Sequence, residues 1–365
     1  MEVGPGSTGL LRPFAALWQR LHSLGGNSFL ALDIGSNAIK AVEVRGSGSD
    51  IEVLSVGTIP MPEGGLVNNT LADPTGVARA IIDLRKRSKM TTRSTITAVP
   101  GPAVIVKKVS FRPGPDDDID ALVTIEAANF IPENMENVNL DFQVVRAEGA
   151  EIEALLVAVR KDILAGFTSA IADADLELKI VDVDSFALEN VYEMNYQPGA
   201  EDVVGLVDIG ARYSTVNIVK GGLSATTGDV PAGGNMVTDA LVRLGGLTAV
   251  EARRMLSGAE SEDRVRAIAD DASKQLADAI GDFVSFLSRT GGSDAPMRAV
   301  YVGGGGALIP GVVERLGENV EVPVEILDPF RRVRLHSNVD ATALAAVAPL
   351  FAVAMGLATR RPGDA

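Results

Sequence analysis

The sequence contains no cysteine and only two histidines, His22 and His336. Structural disulfides and thiolate metal sites are therefore excluded, a reducing compartment suits the composition, and a cluster of histidine metal ligands is not expected. Basic residues are in the minority, since 33 Lys and Arg face 48 Asp and Glu and the net charge is −15. This balance argues against a general nucleic-acid-binding surface, and we predict no nucleic-acid partner.

Long apolar runs are missing as well. No stretch reaches the roughly 18–20 uninterrupted apolar residues that cross a bilayer. The nearest is the alanine-rich stretch 343–359, which contains Pro349 and which we interpret as a buried helix. The N-terminus lacks the compact apolar core and small-residue cleavage site of a secretory signal. These absences predict a cytoplasmic protein.

Residues 1–28 form an extension ahead of the predicted globular body. Within it, 9–23 carry large apolar side chains at helical spacing, which predicts an amphipathic helix. The apolar stripe consists of Leu10, Leu11, Phe14, Leu17, Trp18 and Leu21. Two interpretations stay open: a helix packed on the body, or a docking helix for a partner or a membrane surface.

From Phe29 onward, predicted strands and helices alternate, and one pattern occurs twice. An apolar strand ends in Asp33-Ile34-Gly35, turns, and is followed by a second strand; the same form recurs half a chain later at Asp208-Ile209-Gly210. This is an internal repeat. A chain of 365 residues is also long enough for two or more subdomains.

These two turns and a third glycine-rich segment, 303–306, together predict a site for ATP and Mg²⁺. Glycines let backbone N–H groups approach phosphate oxygens closely. An aspartate at each strand end can hold Mg²⁺, which keeps several waters and uses few carboxylates. The third segment offers a flat backbone surface for a base and ribose. The P-loop pattern G-x-x-x-x-G-K-[ST] does not occur, so the predicted site is of another kind.

With these motifs the chain resembles the actin, Hsp70 and sugar-kinase ATPase superfamily, and within it the PilM family of type IV pilus assembly proteins, relatives of the division protein FtsA. The resemblance covers about residues 29–360. It implies an α/β, actin/Hsp70-like two-lobed ATPase fold with duplicated βββαβα cores and an inserted FtsA/PilM-type subdomain. The stretches that carry it are LDIGSNAIKAVEV, AVPGPAVIVKKV, EAANFIPENMENVNLDFQVV, VDVDSFALENVYE, VPAGGNMVTDAL, VGGGGALIPG, LDPFRRV and APLFAVAMGLATR.

The resemblance implies four nucleotide-binding segments, with Asp33 and Asp208 as the metal-facing carboxylates. The first phosphate turn consists of Asp33, Gly35, Ser36, Asn37 and Lys40, and the second of Asp208, Gly210, Arg212, Ser214 and Thr215. The others are Gly233, Gly234 and Asn235 before a helix, and Gly303, Gly304, Gly305 and Gly306 as the adenosine segment. For Ser36, Ser214 and Thr215, ordinary turn hydrogen bonding is the alternative.

Hydrolysis needs a group that orients the attacking water. Asp182 and Asp184 lie in the matching connector, and we select Asp184; capping of the following helix is the alternative role. At most a weak ATPase is expected, with the nucleotide acting as a conformational ligand. One departure concerns the helix at 248–257, where related proteins carry A-E-x-x-K. Here Arg253 replaces the acid and Leu256 the lysine, which puts nucleotide affinity in doubt.

The implied organisation assigns 29–91 to the first lobe core, 92–182 to the inserted partner-binding subdomain, 183–340 to the second lobe, and 341–365 to a helix returning to the first lobe and a tail. In the PilM family the inserted region helps form a groove for the cytoplasmic N-terminal peptide of an inner-membrane protein, PilN. Here the resemblance implies a partner-binding contribution from Phe130, Ile131 and Pro132, although core packing and helix termination would also explain these residues.

The resemblance therefore implies a cytoplasmic scaffold of the type IV pilus machine, held at the inner membrane through its PilN-like partner. Contacts with other components of the pilus or of related secretion machines, and self-assembly, are further expectations. Two alternatives remain open: an FtsA-like division filament protein and a small-molecule kinase of the same superfamily.

Overall fold

The computed structural model describes residues 28–114, 118–148, 151–256, 262–290 and 295–363. Within these ranges the chain forms two lobes, each built on a mixed sheet, and a smaller three-stranded unit. The predicted two-lobed, actin-like α/β fold is thereby confirmed. The amphipathic helix predicted at 9–23 lies outside the described residues. No helix of the described chain is long and apolar enough to cross a membrane.

The strands are numbered in chain order. They are β1 (Ser28–Ile34), β2 (Ala38–Arg45), β3 (Glu52–Pro60), β4 (Leu66–Val67), β5 (Thr70–Leu71), β6 (Ser94–Val99), β7 (Val104–Phe111), β8 (Val138–Glu148), β9 (Glu151–Arg160), β10 (Glu177–Val183), β11 (Val203–Ile209), β12 (Ser214–Lys220), β13 (Leu223–Val230), β14 (Ala299–Gly303), β15 (Val324–Ile326) and β16 (Arg334–Leu335).

The helices follow the same scheme. They are α1 (Pro74–Arg87), α2 (Ile119–Ala128), α3 (Lys161–Asp173), α4 (Asp184–Tyr196), α5 (Asn235–Gly245), α6 (Ala249–Leu256), α7 (Glu262–Thr290), α8 (Val312–Asn319), α9 (Ala341–Ala345) and α10 (Ala352–Leu357). The start of α1 follows from its sequence, because the carboxylate of Asp73 accepts the N–H of Gly76 at 2.9 Å and proline occupies the first helical position.

Each lobe repeats one topology. The first sheet has the order β10-β6-β1-β2-β3-β16 and the second the order β13-β12-β11-β14-β15. In both, the first three strands of the lobe pair antiparallel as a meander, and later strands join the first of them in parallel. The repeat seen in the sequence is therefore a repeat of the fold, and it places Asp33 and Asp208 at equivalent strand ends.

Strand alternation divides each central strand between two cores. In β1, Leu30 and Leu32 pack toward the layer of α1 and α3, whereas Ala31 faces the helices between the lobes. In β11, Val207 packs toward α5, α7 and α8, whereas Leu206 faces the same central layer. The central layer therefore joins the two lobes.

Two helices form that central layer, α4 and α10. Helix α10 packs on β1, β2 and β6 of the first lobe, and α4 packs on β11, β12 and β13 of the second. Their backbones touch, since a Cβ on Gly356 would lie 1.7 Å from the carbonyl oxygen of Ala187. Only glycine fits at this crossing.

The inserted unit is smaller than predicted. Strands β7, β9 and β8 form a separate antiparallel sheet covered by α2, with its own apolar core. This unit occupies 104–160, whereas the predicted insertion spans 92–182. Strands β6 and β10, which flank it, belong to the first-lobe sheet. The return to the first lobe also comes earlier than residue 341, because β16 pairs with β3.

Candidate functional site

The two repeated turns lie at one site between the lobes, which we call the cleft. The first turn links Ile34 to Ala38 and is closed by the N–H of Gly35 donating to the carbonyl of Ala38 at 3.2 Å. The second links Ile209 to Ser214. The charges of Lys40 and Asp33 in the first turn both affect the pKa of Asp208 in the second, so the two turns face a common space.

The first turn carries an internal ion pair. The Nζ of Lys40 lies 2.7 Å from Oδ2 of Asp33, and both side chains are largely buried. The two residues are directly opposite in the β1–β2 register, which holds the ammonium at the strand end. Sequence analysis selected both residues, and the structure brings them together.

The second turn has a carboxylate without a neighbouring cation of its own. Burial raises the pKa of Asp208 to about 6; Lys40 opposes the shift and Asp33 adds to it. Among the described residues, Asp208 forms no ion pair within 4.0 Å. A half-buried carboxylate in this setting gains stability from a cation that enters the cleft.

Asp184, the selected catalytic residue, stands at the start of α4 and contacts both lobes. It accepts the N–H of Gly101 at 2.9 Å and the hydroxyl of Tyr213 at 3.2 Å. Burial raises the pKa of Asp184 well above its usual value, and the nearby carboxylate of Asp229 adds to the shift. It is thus a cleft residue, whereas Asp182 lies on another surface, described below.

Two cleft residues were missed by sequence analysis, Tyr213 and Asp229. Burial and, next, the charge of Asp184 raise the pKa of the Tyr213 hydroxyl well above its usual value. Burial also raises the pKa of Asp229, opposed by a hydrogen bond from Thr215. The available signals were weak: Tyr213 falls inside the second D-I-G turn, and Asp229 is an acid shortly before Gly233.

The segment Gly303–Gly306 packs against the end of β11. Gly304 has a φ of +83°, and a Cβ there would lie 2.5 Å from the carbonyl oxygen of Ile209 and 2.8 Å from a carboxylate oxygen of Asp208. A Cβ on Gly306 would lie 2.1 Å from Cγ2 of Ile209. The glycines therefore bring this backbone directly beside Asp208, where a side chain would fill the space.

Gly233, Gly234 and Asn235 support the second turn from behind. The N–H of Gly234 donates to the carbonyl of Gly210 at 2.9 Å, and the N–H of Asn235 to Ala211 at 2.8 Å. These two amides are therefore engaged within the protein. These hydrogen bonds fix the backbone of the second turn.

The remaining predicted residues divide into two groups. Ser36 is half-buried, and Asn37 and Arg212 are exposed. Ser214 and Thr215 are buried, and their hydroxyls donate to the carbonyl of Ala232 and to the carboxylate of Asp229, both at 2.7 Å. Both hydroxyls thus make the internal hydrogen bonds that were the alternative to phosphate contact.

The cleft suits a hydrated metal ion carried by a ligand better than a protein-only metal site. No group of three or more His, Cys, Asp or Glu side chains in the described part of the chain could hold a metal. Mg²⁺ is usually bound through one or two carboxylates together with waters and phosphates. Asp33 and Asp208 would supply these two carboxylates.

The unusual helix α6 is stabilised by its own cap. Thr248 and Glu251 form a capping box, in which the N–H of Thr248 donates to the Glu251 carboxylate at 2.7 Å and the N–H of Glu251 to the Thr248 hydroxyl at 3.2 Å. Glu251 is therefore engaged at the helix start, and Arg253 beside it is exposed.

A second surface of interest is a cavity of about 1170 Å³ between the inserted sheet and α4, which we call the groove. Seven residues of β8, from Asn139 to Arg146, line one side. In the described chain β8 pairs only with β9, so its other edge has free backbone donors and acceptors. The opposite wall includes Phe186, Glu189 and Glu193 of α4.

Asp182 belongs to this groove and not to the cleft. It is 7% exposed, and the Nε of Arg360 lies 3.1 Å from its Oδ2. Burial raises the pKa of Asp182, and Arg360 opposes the shift. The predicted partner-binding residues Phe130, Ile131 and Pro132 do not line the groove.

Those three residues end α2 and cover the core of the inserted unit. The N–H groups of Phe130 and Ile131 both donate to the carbonyl of Ala127 at 3.0 Å, and Ile131 is buried. The Phe130 ring lies under the Nζ of Lys107, 5.3 Å from its centroid. These contacts are the helix termination and core packing that the sequence analysis gave as the alternative to partner binding.

Comparison with known proteins agrees with these features. Residues 31–362 match the family model of type IV pilus assembly protein PilM. The chain belongs to this family. A chain of a PilM–PilN type IV pilus biogenesis complex is 25% identical with a TM-score of 0.81, over 91% of this chain and 98% of that one. This PilM-family member is thus an actin-like protein of type IV pilus assembly.

A more distant structure shares the fold. The ethanolamine utilization protein EutJ from Carboxydothermus hydrogenoformans is 13% identical with a TM-score of 0.56, over 91% of this chain and 89% of that one. The two-lobed architecture therefore extends beyond the PilM family.

Proposed function

We propose that this chain is a scaffold that binds ATP with Mg²⁺ in the cleft and the cytoplasmic N-terminal peptide of a PilN-type inner-membrane protein in the groove. The partner would hold the scaffold at the cytoplasmic face of the inner membrane. The observation that carries the proposal is the free edge of β8 along a groove of about 1170 Å³, in a chain that resembles a protein solved together with PilN.

Strand addition suits this groove. An unpaired strand edge offers main-chain hydrogen bonds to an extended peptide, and flanking pockets select its side chains. Apolar side chains from both walls are present, among them Leu155 and Val157 of β9 and Phe186 of α4. An extended peptide placed beside β8 would bury these side chains and satisfy the strand edge together.

Nucleotide binding is supported by the arrangement of the two turns. Lys40 supplies positive charge, Gly35 and Gly210 shape the turns, and Asp33 and Asp208 are the carboxylates that would face a hydrated Mg²⁺. The glycine segment 303–306 lies beside Asp208, where it would form the surface for the base and ribose.

We assign the nucleotide a conformational role. Asp184 links the two lobes, because Gly101 belongs to the first-lobe side and Tyr213 to the second. Asp184 is also our choice for orienting an attacking water, and a carboxylate with a raised pKa can act as a general base. A ligand alters the balance of open and closed forms only when it binds them with different affinity.

Calorimetry tests the proposal in one design. ATP–Mg²⁺ and a synthetic N-terminal PilN peptide are titrated, separately and together, into wild type, Asp33→Ala and Asp239→Ala, the last an exposed carboxylate of α5 as control. We expect both ligands to bind wild type and the control, and Asp33→Ala to lose the nucleotide alone. Failure of the peptide to bind wild type would contradict the partner assignment; failure of ATP would contradict the nucleotide assignment.

A further inference from the structure

The two walls of the groove differ in charge. On the inserted sheet, Asp141 and Glu153 are accompanied by Lys108 and Arg146. On the other wall, three carboxylates face one guanidinium: the acids are Asp182, Glu189 and Glu193, and the base is Arg360. Arg360 is paired with Asp182, so the described residues of this wall offer no second cation for the carboxylates of Glu189 and Glu193.

Glu189 and Glu193 lie one turn apart on α4, so both point to the same side of that helix. Glu189 accepts the N–H of Ser224 at 3.1 Å and the amide of Asn217 at 3.3 Å. Both donors are neutral, and neither glutamate has an ion-pair partner within 4.0 Å among the described residues. Burial raises the pKa of Glu189 to about 7, in keeping with a carboxylate that has no cation beside it.

One further polar atom at this wall has no partner among the described residues. Nδ2 of Asn190, next to Glu189 on α4, is buried and donates to no acceptor, and Asn190 lines the groove. Buried polar atoms without partners are uncommon in proteins, so a peptide carbonyl that reached this amide would supply the missing acceptor.

The groove also continues past this point. A second cavity of about 690 Å³ adjoins the groove and shares Asn190, Glu193 and Thr359 with it. An extended segment passing from one cavity to the other would therefore run past Asn190 and Glu193. Glu193 lies where the two cavities meet, and Glu189 lies one turn away on the groove side.

We infer that Glu189 and Glu193 form a specificity site that selects a partner peptide carrying a cationic side chain, Lys or Arg, at the position that passes this junction, with Asn190 donating to the peptide backbone. The inference rests on the proposed function, since it assigns a charge requirement to the same groove. Apolar contacts and the β8 edge would bind many extended segments, whereas the acidic pair would distinguish among them.

The test is a Lys/Gln scan of the synthetic N-terminal PilN peptide of the PilM–PilN complex, with Lys or neutral Gln placed at each position in turn. Binding is measured by fluorescence anisotropy to the full chain. We expect one position at which Lys binds about 10-fold more tightly than Gln. In Glu189→Gln/Glu193→Gln this preference disappears while the Gln peptide keeps its affinity.

Glu153→Gln is the matched control, because it removes a carboxylate from the wall whose charges are balanced; it should keep the Lys preference. Glu193→Lys paired with Glu at the selected position should restore tight binding by charge exchange. Peptides that bind without any Lys preference, or a preference that persists in the double variant, would overturn the inference and leave the proposed function standing. If no peptide binds wild type, the proposed function and this inference are both contradicted.

Discussion

The first and second turns of the cleft have the same backbone form and opposite electrostatic situations. In the first, the carboxylate of Asp33 is held 2.7 Å from the ammonium of Lys40. In the second, residue 215, which is opposite Asp208 in the β11–β12 register, is a threonine whose hydroxyl donates to Asp229. The two halves thus share the fold, but among the described residues only the first turn has a counter-ion beside its aspartate.

This difference indicates that the two turns would contact different parts of a ligand. The Asp33–Lys40 pair is satisfied without a ligand, so it stabilises the empty protein and presents a cation to phosphate. Asp208 has no ion-pair partner among the described residues and burial raises its pKa to about 6, so its charged form would be stabilised by a metal ion bound together with the proposed nucleotide. A ligand carrying both phosphate and Mg²⁺ answers both halves at once.

The largest expected effect comes from removing the cation of the first turn. Lys40→Met should lower affinity for ATP–Mg²⁺ on the order of 100-fold, because a charge-assisted contact to phosphate is lost and the carboxylates of Asp33 and Asp208 then repel the ligand. Lys86→Met, at an exposed lysine of α1, is the control and should leave affinity unchanged. Calorimetry measures both, and equal affinities would break the proposed contrast.

The next prediction has opposite signs in the two turns. At about pH 7.5, Asp33→Asn should lower the free energy of unfolding by roughly 2 kcal/mol, since it breaks a largely buried ion pair. Asp208→Asn should raise it by a similar amount, because an ionised carboxylate with a raised pKa destabilises the folded state. Urea unfolding of the ligand-free protein measures both, and a loss of stability in both variants would contradict the comparison.

The pH dependence isolates the second turn. The folded-state pKa of Asp208 is raised from 3.8 to about 6, so between these values the folded protein binds the extra proton and its stability falls as pH rises. ATP–Mg²⁺ affinity should change the other way, weakening about tenfold from about pH 7 to about pH 5 as Asp208 becomes neutral. In Asp208→Asn, the pH dependence of both the unfolding free energy and the ATP–Mg²⁺ affinity should lack the contribution of this carboxyl. Identical pH profiles in wild type and variant would contradict the role assigned to Asp208.

The smallest expected effect concerns the link between the lobes. Tyr213→Phe removes the hydroxyl that donates to Asp184 and should cost about 1 kcal/mol of unfolding free energy, with a several-fold change in ATP–Mg²⁺ affinity. Tyr196→Phe is matched to it, since that hydroxyl accepts the N–H of Asp328 away from the cleft. Both variants should lose stability, and only Tyr213→Phe should alter nucleotide binding.

The turns of the cleft could be predicted because their information is local. A strand that ends in Asp, an apolar residue and Gly specifies a tight turn and the end at which its carboxylate lies, and this held at Asp33 and at Asp208. The direction of a hydroxyl is not local. For Thr215 the sequence left both phosphate contact and turn hydrogen bonding open. Its cross-strand partner in β13 is Asp229, and that pairing determines where the hydroxyl donates.

Parallel pairing was the other limit. β6 and β10 are adjacent in the first-lobe sheet although 77 residues lie between Val99 and Glu177, and nothing within either strand marks that partnership. The predicted insertion therefore extended over both. The groove residues Glu189 and Asn190 were likewise not selected, because helical periodicity places them on α4 without showing that the inserted sheet stands opposite.

Helix α4, which crosses α10 at Gly356, carries residues of both the cleft and the groove. Because Gly356 lies against the carbonyl of Ala187, no side chains separate the two backbones at this point. A change in the orientation of α4 would therefore be a rotation about this contact. Helix α4 begins at Asp184 in the cleft, and Glu193 at the groove lies about 14 Å further along its axis. Under the proposed function, a nucleotide that changed the tilt of α4 at Asp184 would therefore also move the wall against which the partner peptide would lie.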